Sequence, residues 1–230
     1  MTVLTIILLF GSVISGAIIV EFFNIKKSKN IQFLLTFSGA YLLAISFLHL
    51  LPELFWHNTT ENIGLYILIG FVIQILLEYF SQGIEHGHLH KGNVIPFSVL
   101  LSLCLHALFE GIPLAGDLHE HTHNVLLYGI VLHKMPVAIV LMTLFLQAKI
   151  KKSRAYLLLF LFACMAPLGV ITGHMLTGLA KYHNEILAIV IGIFLHISTT
   201  ILFESTDGHK FSITKILTII VGAILALISF

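Results

Sequence analysis

A histidine and a glutamate four residues apart lie within one apolar stretch, Ser102-Leu-Cys-Leu-His106-Ala-Leu-Phe-Glu110-Gly111-Ile-Pro113. On a helix this spacing puts both side chains on one face, one turn apart, where two ligand atoms can chelate a single cation. A second stretch reads Val131-Leu-His133-Lys134-Met135-Pro136-Val137 and again sets a histidine among apolar residues, beside a lysine and a proline. A lone buried histidine is ordinarily a hydrogen-bonded core residue. Three donors at one depth are different: two imidazoles and a carboxylate form an N2O set suited to Zn²⁺ or another borderline divalent metal, with a position left for water or a further ligand. Pro113 and Pro136 each remove a backbone donor and are expected to kink the helices beside this set.

The elements that must hold these residues are long apolar helices. Runs of about 20 apolar residues occur at approximately 2–22, 31–55, 63–82, 94–116, 124–147, 154–180, 185–203 and 212–230. The connections between them are short. The fourth and fifth segments are therefore expected to be antiparallel neighbours. At about 1.5 Å per residue, His106 and His133 each fall about 20 Å below the connection between those segments, with Glu110 one turn nearer to it. Continuous apolar runs without two-residue alternation exclude an outer-membrane barrel.

Composition agrees. Of the 230 residues, 58% are hydrophobic and 10% are charged, with a mean hydropathy of +1.02. That excludes a soluble domain and a disordered chain. Twelve Lys+Arg against 11 Asp+Glu leave a formal charge of +1, so there is no basic field for nucleic acid. Cys104 and Cys164 read as small core residues. The first segment lacks a basic leader and a small-residue cleavage site, so it reads as a span and not a signal peptide.

The basic residues orient the chain. Lys26, Lys27, Lys29, Lys91, Lys149, Lys151, Lys152, Arg154, Lys210 and Lys215 all fall on one side, Lys181 on the other and Lys134 within a span. The positive-inside rule then places both termini outside. Trp56 and Tyr182 stand near outer span ends as interfacial anchors.

Histidine is the other compositional signal, at 14 residues. His49 and Glu53 repeat the i, i+4 spacing near the outer end of the second span, around Pro52, and read either as an entrance site or as a hydrogen-bonded helix end. Asp117, His119, Glu120, His121 and His123 crowd the outer connection between spans four and five, as a metal-attracting mouth or as a solvated polar loop. Glu85-His86-Gly87-His88-Leu-His90 forms an inner loop whose alternating histidines can relay a soft divalent ion. His174 and His196 are single on their spans and read as core or path residues. Glu78, Glu204 and Asp207 read as exit-lining or interfacial charges.

The stretch His106-Ala-Leu-Phe-Glu110-Gly111 resembles the fourth-span motif of the ZIP (Zrt/Irt-like) family of divalent metal transporters. His133-Lys134-Met135-Pro136 resembles that family's fifth-span motif, and the stretch from Ser38-Gly39 through His49 to Pro52-Glu53 its second span. Ala166-Pro167-Leu168-Gly169 is similar to its sixth span and Gly192-Ile-Phe-Leu195 to its seventh. The resemblance covers nearly the whole chain. It implies an all-α integral membrane protein with eight transmembrane helices, both termini outside and a metal site between kinked helices four and five. The whole of 1–230 would be a single transporter domain. It further implies import of a divalent cation toward the cytoplasm, by one group of helices sliding against the other.

Three positions depart from the family pattern. Ala107 stands where many members have asparagine, Val137 where many have glutamate, and Lys134 where members with two metals have a further ligand. The expectation is a single-metal site, His106, Glu110 and His133, with the Lys134 ammonium standing where a second cation would sit and pairing with Glu110. The transported substrate is Zn²⁺ or another divalent transition metal, iron and manganese being the alternatives. The lipid bilayer of a bacterial inner membrane is the expected setting and a second copy of the chain a candidate partner. The competing readings are a metal sensor or degenerate non-transporting homologue, a haem-binding membrane protein and an intramembrane metallohydrolase. No span offers two well-placed interior histidines for haem, and the His-Glu-x-x-His pattern of helical hydrolases is absent.

Overall fold

The computed structural model describes residues 2–23, 28–56, 62–81, 97–116, 119–204 and 213–229, and among these every regular element is helical. The eight helices are α1 (Thr2–Phe23), α2 (Ser28–Ile45, continued through Ser46–Leu50 and Leu51–Trp56), α3 (Ile63–Ser81), α4 (Phe97–Gly111), α5 (Glu120–Gln147), α6 (Lys152–Met175), α7 (His183–Glu204) and α8 (Ile213–Ile228). Seven of them are long and apolar enough to cross a membrane, and α8, with 16 residues, is a shorter apolar helix. The chain is thus a multi-pass helical membrane protein.

Buried share separates interior from periphery. The apolar window of α5 is 78% buried and that of α3 only 17%. Leu65, Leu68, Val72, Ile75 and Leu76 of α3 are exposed apolar side chains, as a lipid-facing helix requires. The helices pack as two sets. In one, α5 lies against α1 and α6, and α6 also holds α4 and α1. In the other, α7 lies against α3 and α2, and α2 against α8. The sets meet where α2 packs on α5 and α3 on α4, and the Ser102 hydroxyl of α4 donates to the Leu77 carbonyl of α3.

Each set contains a backbone-close helix pair that glycine makes possible. A Cβ on Gly169 of α6 would run into the Leu108 carbonyl of α4, and one on Gly111 into the Ala166 carbonyl. Gly70 of α3 and Gly192 of α7 stand in the same relation to the carbonyls of Ile189 and Ile67. In a bilayer, where apolar side chains gain little by leaving lipid, such close approach is a principal source of helix association.

Several boundaries differ from those read from hydropathy. The fifth span begins at Glu120 and not near 124, because hydropathy cannot see a polar first turn. Glu120 suits it, since an acidic side chain complements the helix dipole. His121 and His123 therefore lie on the helix and not in a loop. The sixth helix ends at Met175; Leu176 leaves helical backbone geometry and Thr177–Tyr182 form a separate 3₁₀ turn, so the run to 180 is not one helix. Around Pro113, α4 tightens into a 3₁₀ segment, Ile112–Ala115. Pro136 is carried inside α5, without a break in the helix. The second helix has a π segment, Ser46–Leu50, which ends where the Leu51 N–H donates to the Ser46 carbonyl, just before Pro52.

Candidate metal centre

His106 and Glu110 sit in the last two turns of α4, where the glycine contact with α6 fixes the helix. His133 sits midway along α5, the most buried of the spans. The three side chains converge: one ligand atom from each lies within 4.8 Å of the other two, and all three residues are buried. His106 Nε2 is 3.0 Å from Glu110 Oε1. The His106 and His133 rings are 6.1 Å apart between centroids and nearly perpendicular, at 88°. Equal distance from the α4–α5 connection thus leads to equal depth in the fold.

Glu110 has a second neighbour. Lys134 Nζ lies 2.7 Å from Glu110 Oε2, with the lysine side chain only 3% exposed. Lys134 also stands 5.4 Å over the Phe162 ring of α6, within cation–π range. An ion in this setting needs compensation, because an isolated charge at the bilayer centre costs about 2.5–3.5 kcal/mol even on insertion scales. Glu110 therefore divides its two oxygens between a histidine and a fixed cation. Val137, one turn beyond His133, is 2% exposed and belongs to the apolar core. Ala107 is likewise buried in that core. Neither offers a metal ligand.

The residues expected at the mouth also come together, in part. His49 and His121 have ring centroids 5.4 Å apart, and His119 Nε2 is 3.7 Å from Glu53 Oε1. His49 Nε2 is 3.1 Å from the Ala226 carbonyl of α8. His119 is the residue that precedes α5 and is exposed, whereas His123 is buried a turn further on. His86, His88 and His90 lie outside the described residues, as do Glu85, Asp117 and Asp207.

Reading residues one span at a time missed a partnership between helices. His196 Nδ1 of α7 is 3.3 Å from Glu78 Oε2 of α3, and the His196 ring stands edge-on to Phe71 at 4.9 Å. The available signal was the face Gly70-Gln74-Glu78, at steps of four, opposite Gly192 and His196 at the same step. His174 is exposed near the end of α6 and is not a core residue. Neither Cys104 nor Cys164 forms a disulfide.

The family described as ZIP Zinc transporter matches residues 81–229, which include all three converging ligands. Zinc transporter ZIP9-B of Xenopus laevis is 24% identical over 172 residues, which is 66% of this chain and 55% of that protein. Protein zntD of Dictyostelium discoideum is 25% identical over 142 residues, 54% of this chain and 21% of that protein. The chain therefore spans about half of the first relative and about a fifth of the second.

Proposed function

Because the chain belongs to the ZIP zinc transporter family, we propose that it is a divalent-metal transporter that carries Zn²⁺ toward the cytoplasm, with His106, Glu110 and His133 as the mid-membrane ligands. The observation that carries this reading is the convergence of those three buried side chains within 4.8 Å. Neutral imidazoles and a carboxylate replace the hydration shell of a borderline metal, and three protein ligands leave a position through which the ion can exchange. Iron and manganese are the alternative cargoes.

The Lys134–Glu110 pair supports a single-ion site. A fixed cation 2.7 Å from the only carboxylate of the set repels a second metal and weakens the hold on the first. A transporter needs such moderation, because an ion bound too tightly cannot leave. In this reading the basic loops face the cytoplasm, both termini face outward, and 1–230 works as one transporter domain in a bacterial inner membrane. His49, Glu53, His119, His121 and His123 stand on the entrance side, with His86, His88 and His90 on the exit side.

Radiometal uptake into vesicles bearing the chain tests this. Uptake above that of empty vesicles is expected, together with its loss in His106→Ala, Glu110→Ala and His133→Ala. Full uptake in the Glu110 variant would overturn the site. Metal bound by the purified protein but never moved would identify a degenerate, non-transporting binder instead.

A further inference from the structure

The buried charges of one helix set cancel. Among the described residues, Glu110 is the only fully buried acid. Lys134 is, among the same residues, the only buried lysine or arginine in the set of α1, α4, α5 and α6. Glu110 Oε2 and Lys134 Nζ stand 2.7 Å apart, and the Phe162 ring lies 5.4 Å from the ammonium. The acid comes from α4, the base from α5 and the aromatic ring from α6, so all three belong to the same set. A shift of that set as a body against the other leaves these contacts intact.

We propose that Lys134 is the built-in counter-ion of the metal-free site, which lets that site return to face outward with neither a second metal nor a proton aboard. The proposal rests on the transport reading above. A carrier that alternates access around one site must reverse its conformational change unloaded before it takes the next ion. In that step a lone Glu110 carboxylate would be an unpaired charge at membrane depth, and such charges are costly unless they are paired. Carriers can meet this demand by binding a proton for the return. Here the ammonium 2.7 Å from the carboxylate takes that place, and it moves with the carboxylate because both ride on one helix set. The protein is then a uniporter, in which the metal moves alone.

The same pair could do no more than join α4 to α5, or weaken the hold on the metal. Neither of those roles acts on the return step in particular. A counter-ion role does, because only the unloaded site lacks a metal to balance Glu110.

Efflux from preloaded vesicles isolates that step. Vesicles bearing the full chain are loaded with radioactive Zn²⁺ and diluted either into metal-free buffer or into buffer with unlabelled Zn²⁺. Continued efflux into metal-free buffer requires the empty site to return, whereas exchange against unlabelled zinc does not. Both arms run at pH about 8, above the ordinary imidazole range, so that a proton on His106 does not stand in for the lysine. Wild type is expected to empty at much the same rate in both buffers. Lys134→Met is expected to exchange, but to empty into metal-free buffer about tenfold or more slowly than it exchanges. Slower release of metal depresses both arms, so their ratio singles out the return. Lys134→Arg keeps the charge and should restore the wild-type ratio. An equal ratio in wild type and Lys134→Met would overturn the counter-ion role. So would a Lys134→Met protein unable even to exchange, which would place the lysine in folding or metal binding. Absence of efflux from wild type in either buffer would instead overturn the transport reading on which the proposal rests.

Discussion

Lys134 and Glu110, from facing helices, form an ion pair of 2.7 Å with both side chains buried. The carboxylate that would hold the transported metal is therefore already engaged by a cation from the protein. An ion arriving at the proposed site would have to share Glu110 with the lysine or displace it, so the pair would set its affinity.

Replacing the cation should accordingly tighten binding. Lys134→Met removes a positive charge adjacent to the metal position while filling similar volume. Zn²⁺ affinity is expected to rise by one to two orders of magnitude, about 1.4–2.8 kcal/mol, while the rate of uptake falls because release slows. Competition with a chromophoric chelator gives the first quantity and vesicle uptake the second. An unchanged dissociation constant would show that the ammonium does not face the ion.

Glu110→Ala has two effects that must be separated. It removes a ligand, and it leaves Lys134 buried without its carboxylate, a loss worth about 3–5 kcal/mol for a broken buried pair. Glu110→Gln combined with Lys134→Met removes both charges together. This double variant is expected to unfold near the wild-type temperature and yet to bind no zinc at the central site. A thermal melt in detergent, read beside zinc stoichiometry, checks both halves.

The seat of α4 can be tested through Gly169. Its Cβ position is occupied by the Leu108 carbonyl, so Gly169→Ala must push α4 and α6 apart. Overpacking of this kind costs about 1–3 kcal/mol. Because His106 and Glu110 ride on α4, uptake should fall with stability. Gly11→Ala, where an added Cβ meets nothing within 4 Å, is the control and should alter neither.

The central trio was legible in the sequence because two local rules suffice for it. The i, i+4 step puts His106 and Glu110 on one face, and equal distance from a short connection puts His133 at their depth. The lysine partner followed from its place next to His133. The π segment of α2 was not legible, since Pro52 announces a disturbance but not the direction in which the helix winds to absorb it. The helical start at Glu120 was hidden because its first turn is as polar as a loop. The pairing of Glu78 with His196 depends also on which helices are neighbours, and the four-residue steps of Gly70-Gln74-Glu78 and Gly192-His196 mark the two faces without saying that they meet.

That last pair offers a test of the second helix set. α3 and α7 run parallel, since the contact of Gly70 with Ile189 recurs about two turns further on as Glu78 with His196. The side chains of Glu78 and His196 are 19% and 10% exposed, so each depends on the other more than on water. Phe71 braces the imidazole from the side at 4.9 Å. Glu78→Ala and His196→Ala should each cost about 1–3 kcal/mol, the price of leaving a buried polar partner unmatched, which for a chain of this length lowers the melting temperature by about 2–4 °C per kcal/mol. The double variant should lose less than the sum of the two, because contacting residues are coupled. Strict additivity in that cycle would mean that the two side chains do not interact in the folded protein. Neither single variant should change zinc binding at the proposed site of His106, Glu110 and His133, which belong to the other helix set.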